Sequence, residues 1–170
     1  CFVYDGTLFT MEQNSNRTRQ IPSEQELLDL PGKELEVLLP SGWTVSRESP
    51  PAQADGVIRI SAPDGNSASL LVEAKSLMNP RDVLFVLDQM MRFGEGMDAY
   101  MMVARYLSPR ARELLEAKKV SYVDAAGNVF VSLESPGLLI RTKGQDSDPF
   151  RGPERRTNSL KGGPASRVVR

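Results

Sequence analysis

Apolar positions recur along this chain with two different periods, and the points where the period changes mark out its elements. From Ser23 the spacing is helical, carried by Leu27, Leu28, Leu30, Leu35, Val37, Leu38 and Leu39. Ser23 with Glu26 three residues later forms a capping box, and Pro31-Gly32 is expected to interrupt or redirect the helix before it ends at Pro40-Ser41-Gly42-Trp43. Trp43 and Val45 then alternate with polar residues as in a half-buried strand, and a Pro-rich loop follows. Residues 56–76 read as two strands joined at Pro63-Asp64-Gly65-Asn66, where Gly and Asn tolerate positive φ. Asn79 and Pro80 suit the first positions of a helix whose apolar face is Val83, Leu84, Leu87, Met90 and Met91. Residues 99–106 suit a central strand, Ser108-Pro109 opens a further helix, and residues 121–144 supply two or three more strands around a Gly127-Asn128 turn.

The order α, β, β, β, α, β, α, β, β and a final β predicts an α/β domain over residues 23–144, a mixed central β-sheet flanked by helices. Residues 1–22 are polar and aperiodic after an apolar start, and read as a lead-in whose first ten residues are either an added stretch or an arm that docks on a neighbour. Residues 145–158 have the Gly, Pro and polar content of a linker, and 159–170 resemble the capped start of another helix.

Within the second strand of the hairpin, the run Ser69-Leu70-Leu71-Val72-Glu73-Ala74-Lys75 is apolar except for an acid and a base two positions apart. Such residues share one side of a strand, about 7 Å from each other, while Val72 and Ala74 face the opposite layer. Two unpaired buried charges would cost several kcal/mol each, so this pair must reach a groove, pair, or hold an ion. Asp55 stands just before the preceding strand, and the hairpin brings that strand alongside. Two carboxylates with the Ala74 carbonyl would make a partial shell for Mg²⁺ (or Mn²⁺), which prefers oxygen ligands and keeps several waters. A nearby lysine could orient a metal-bound water and stabilise charge developing on a phosphate.

Composition narrows the chemistry further. The chain has 170 residues and no histidine, which removes the commonest general base and metal ligand at neutral pH, and with it Ser-His-Asp, Cys-His and His-metal catalysis. The single cysteine, Cys1, excludes an internal disulfide or a cysteine-built zinc site and fits a reducing compartment; with no long apolar run, a cytoplasmic protein is expected. The net charge of −1 is uneven: residues 151–170 hold six basic residues against Glu154 alone, a charge of +5, which leaves −6 for the rest. A basic tail on an acidic body concentrates any DNA contact in the tail or in a local groove.

Asp55, the hairpin and Glu73-Ala74-Lys75, with a helix before and a helix after, resemble the core of the PD-(D/E)XK nuclease superfamily over residues 23–107. The resemblance implies a restriction-endonuclease-like fold acting on DNA. It assigns Mg²⁺ to Asp55 and Glu73, and assistance of the attacking water to Lys75. Some members add a glutamate on the first helix, where Glu34 or Glu36 could stand, and others a glutamine on the helix after the lysine, where Gln89 stands; position 93, which is tyrosine in many of those, is Phe here. Nucleases of this kind often dimerise so that two sites address two strands, which leaves room for a homodimer, although no self-complementary face can be read in the sequence. Residues 106–131 and 159–170 also resemble bacterial proteins that join a nuclease-like domain to a winged helix-turn-helix, including regulators akin to abortive-infection antitoxins. That implies an alternative, a non-catalytic DNA-binding regulator that uses the fold for sensing or dimerisation.

Plainer readings stand beside these. Glu73 and Lys75 could be a surface ion pair worth about 0–1 kcal/mol, Asp55 a turn residue before Gly, and Gln89 a polar position on an amphipathic helix. The methionines at 90, 91, 97, 101 and 102 read as core filler, Ser108 between Tyr106 and Arg110 as a helix cap, Asp124 and Asn128 as turn residues, and Arg151 to Arg156 as a solvated linker.

Overall fold

Residues 20–151, which the computed structural model describes, build one seven-stranded mixed sheet and three helices. The expected winged-helix start at 159–170, most of the lead-in and most of the basic tail lie outside those residues. In order the elements are α1 (Glu24–Leu38), β1 (Thr44–Glu48), β2 (Gly56–Ser61), β3 (Ser67–Lys75), α2 (Val83–Phe93), β4 (Ala99–Ala104), α3 (Pro109–Ala117), β5 (Ser121–Asp124), β6 (Val129–Leu133) and β7 (Leu138–Thr142). The strands lie side by side in chain order. Tight turns allow β1, β2 and β3 to run antiparallel, as do β5, β6 and β7, whereas the helical crossovers through α2 and α3 make β3, β4 and β5 parallel.

Period-two alternation sends neighbouring residues of each strand to opposite layers. Leu70, Val72 and Ala74 of β3 join Met101, Val103 and Val123 under Leu27 and Leu35 of α1. Leu71, Met102, Ala104 and Tyr122 instead pack under Val83, Val86, Leu87 and Met90 of α2 and Ala111 and Leu115 of α3. The sheet is therefore sandwiched between one helix and two, and β4, expected to be central, is the fourth of the seven strands.

Three local expectations need correction. Pro31 neither interrupts nor ends α1, which runs unbroken through it. Proline in a helix interior costs about 3 kcal/mol, but Leu27, Pro31 and Leu35 form a buried stripe at four-residue spacing, and packing that stripe on the sheet offsets the missing hydrogen bond. Asn79 is not the cap of α2: its carbonyl accepts from Asp82 N at 3.0 Å and its Nδ2 donates to Asp82 Oδ2 at 2.9 Å, closing a turn that delays the helix to Val83. Leu84 and Met91, expected on the apolar face of α2, are instead exposed, and Val86 takes a place on that face. The remaining cap and turn signals act as read. Ser23 Oγ accepts from Glu26 N while Glu26 Oε2 accepts from Ser23 N, Ser108 caps α3, and Gly65 has φ of 89° in the β2–β3 turn.

Leu70 is fully buried where β3 meets α1, and Val37 on the outer side of α1 is 83% exposed. Leu70→Ala is expected to lower the unfolding free energy by about 2–5 kcal/mol and Val37→Ala by less than about 0.5 kcal/mol, read from urea denaturation. Equal losses would contradict this assignment of the core.

Candidate functional site

The C-terminal ends of β3, β4 and β5 form one edge of the sheet, because the parallel register sets Lys75 beside Ala104 and Ala104 beside Asp124. In parallel sheets this is the edge outside which ligands bind. Charged residues collect there in two groups.

The first group is built on β2 and β3. Their ladder stops at Gly56–Val72, and two residues further on the Ala74 amide donates to Asp55 Oδ2 at 2.8 Å. The Asp55 side chain thus takes the place of a ladder carbonyl and is held against the residue between Glu73 and Lys75. Glu73 lies on the α2 side of β3, where Lys75 Nζ is paired with its Oε1. Asp55 Oδ1 and Glu73 Oε2 have no hydrogen-bonding partner among the described residues, so each carboxylate keeps one oxygen uncommitted. Glu73 and Gln89 line one cleft of 170 Å³ with Gln53, Leu71, Met90 and Phe93. Asp55 opens instead into a cleft of 120 Å³ between α1 and β2, with Leu28, Arg47, Glu48 and Val72.

Glu34 and Glu36 are placed in neither cleft; Glu36 borders a separate hollow beside β1 with Asp29, Lys33 and Arg47. No set of three or more Asp, Glu, His or Cys side chains gathers to hold a metal among the described residues. Asp55 and Glu73, in separate clefts on either side of the Ala74 backbone, offer one uncommitted carboxylate oxygen each. That suits a hard cation which retains several waters, and does not suit one needing a full protein cage.

The second group centres on Asp124, which is 1% exposed at the end of β5. Its carboxylate accepts from the amides of Leu107, Ala126 and Asn128 at 2.9–3.0 Å and from Asn128 Nδ2. Burial holds its pKa above the ordinary carboxylate value, although those donors offset part of the rise. Asn128 Oδ1 in turn accepts from Arg112 at 2.6 Å and from the Gly144 amide at 3.0 Å. Arg112 also pairs with Asp146, and Arg105 with Asp148 at 2.7 Å. The Arg112 guanidinium, with Lys143, holds the Asp146 carboxyl below its ordinary range. Residues 145–151, within the stretch read as a linker, are thereby tied to the domain, and Phe150 is buried with the Arg105 guanidinium 6.0 Å from its ring centre.

Sequence reasoning assigned Asp124 and Asn128 to a turn and passed over Arg105 and Arg112. A charged residue directly after a buried strand was the available signal for Arg105; nothing in the local spacing marks Arg112, whose partners lie 16 and 34 residues away. Tyr106 donates its hydroxyl to the Asp146 carbonyl, Ser108 is the cap of α3, and Arg110 pairs with Glu113 in solvent. The buried methionines Met90, Met101 and Met102 fill the core.

No family model matches this chain, and no curated protein matches it. Among solved structures, the SPO1766 protein of unknown function from Silicibacter pomeroyi is similar over 74% of this chain and 77% of its own, at 20% identity and a TM-score of 0.38. No described helix is long and apolar enough to cross a membrane.

Asp124→Ala would leave the amides of Leu107, Ala126 and Asn128 buried without an acceptor. It is expected to cost about 2–4 kcal/mol, seen as a lower urea midpoint. A loss under about 0.5 kcal/mol would mean that the network holds nothing together.

Proposed function

We propose that this domain is a Mg²⁺- or Mn²⁺-dependent endodeoxyribonuclease, hydrolysing DNA phosphodiesters at the C-terminal edge of β3. The observation that carries the reading is the hydrogen bond from the Ala74 amide to Asp55 Oδ2, which keeps the aspartate beside Glu73 and Lys75 although it is distant from them in sequence. Further support comes from the order α1, β1, β2, β3, α2, β4, with β1–β3 antiparallel and β4 parallel to β3, which resembles the restriction-endonuclease-like core of the PD-(D/E)XK superfamily. Glu73 sharing a cleft with Gln89 also fits.

In this reading Asp55 and Glu73, each with an oxygen free of hydrogen bonds, would hold the cation. When bound, it polarises the scissile phosphate and lowers the pKa of a water. Lys75 is already paired with Glu73. From there its ammonium would orient the attacking water and neutralise charge on the phosphate. Gln89, exposed on α2, positions the same water through its amide. No step requires histidine.

The acidic body, −6 outside the last twenty residues, favours the second reading, a DNA-binding regulator that keeps the fold without catalysis. Nicking of plasmid and branched DNA in Mg²⁺ or Mn²⁺ separates the two. Cleavage is expected, abolished by chelator and reduced by at least about a hundredfold in Glu73→Ala with the urea midpoint little changed. Equal cleavage by the variant would reject the site, and DNA binding without cleavage by either protein would select the regulator.

A further inference from the structure

Arg105 and Arg112 are almost fully enclosed, with side chains 12% and 11% exposed, yet neither is fully used. The Nε of each is buried and makes no hydrogen bond. A guanidinium presents its donors as a planar fork that a carboxylate or phosphate can take two at a time. Here Asp148 takes only one terminal nitrogen of Arg105, and Asp146 one of Arg112, whose other terminal nitrogen donates to Asn128 Oδ1. The two carboxylates arrive on one short segment, residues 143–151, which crosses the sheet edge after β7.

Its attachment is narrow. The Gly144 amide meets Asn128 Oδ1, the Gln145 amide meets Ala126 O, Tyr106 donates to the Asp146 carbonyl, and Phe150 closes the far end. At Gly144 the segment passes so close to the β5–β6 turn that a Cβ would lie 2.1 Å from Ala126 O. The segment is seated by one glycine, one aromatic ring and two ion pairs, and Asp146 is half exposed at its outer side.

Arg105 directly follows β4, one strand from Lys75 on the same edge. A DNA backbone gripped along this edge would therefore pass the ends of both strands. We propose that Arg105 and Arg112 form a phosphodiester-binding site, and that the 143–151 segment covers it with two carboxylates in the positions of phosphate oxygens. Engagement of a DNA backbone displaces the segment, so the acidic cover is an autoinhibitory contact that sets the threshold for binding. The choice of DNA as ligand rests on the proposed nuclease reading, but the cover itself is testable without cleavage.

The test measures binding of a fluorescein-labelled duplex to the full chain in chelator, so that no hydrolysis intervenes. Asp146→Asn with Asp148→Asn removes the carboxylates by charge, and Gly144→Ala dislodges the segment by bulk with no change of charge. Both are expected to tighten binding about tenfold and to steepen its salt dependence by about two phosphate contacts. Adding Arg105→Gln and Arg112→Gln to the first variant is expected to reverse the gain.

Folded variants that bind no tighter than the unaltered chain would overturn the proposal. Should the variants fail to fold, trypsin cleavage after Lys143 in the unaltered chain decides: saturating duplex is expected to accelerate it at least about threefold, and unchanged or slower cleavage would overturn the cover. Both assays are read in chelator, without hydrolysis, which keeps failure of the nuclease reading distinct from failure of this one.

Discussion

The parallel register of β3, β4 and β5 is the constraint on which the rest of this structure depends. Three strands running the same way require helical crossovers, and both crossovers lie on one face, which leaves α1 alone to cover the other. The same register places the three strand ends at one level, so Glu73, Lys75, Arg105 and Asp124 come to a single edge although as many as 51 positions of chain separate them. Charges excluded from the strand interiors are gathered where the strands stop.

Each group at that edge is held by backbone amides. Asp55 is fixed by the Ala74 amide, which the β2–β3 ladder leaves free, and Asp124 by three amides of the turns around it. A carboxylate held in this way loses little further rotamer freedom when it binds something else. The difference is in what remains uncommitted. Asp124 is fully engaged and buried, which makes it an organiser of structure, whereas Asp55 and Glu73 each retain an oxygen with no hydrogen-bond partner among the described residues.

Signals with a local cause were legible in the sequence. The Ser23–Glu26 capping box, the Ser108 cap, the Gly65 turn and the alternation through β3 all depend on residues within a few positions of one another. The mixed sheet with flanking helices followed from their order. Pro31 was misread because its helix is held by a buried stripe on the sheet, and no local propensity reports that packing. Asn79 was misread because its side chain closes a turn with Asp82 in place of capping the next helix. The Arg105–Asp148 and Arg112–Asp146 pairs were invisible for a different reason: they join segments 43 and 34 residues apart with no period to betray them.

Asp55 and Glu73 bear the central claim, and Mn²⁺ tests them most directly. As a paramagnetic ion it broadens the amide resonances nearest to where it binds. In a titration of the isotope-labelled protein without DNA, the account expects the amides of Asp55, Glu73, Ala74 and Lys75 to broaden first, and expects this to disappear in Asp55→Asn. Broadening that begins at Asp146 and Asp148 instead, or is unchanged in that variant, would contradict it.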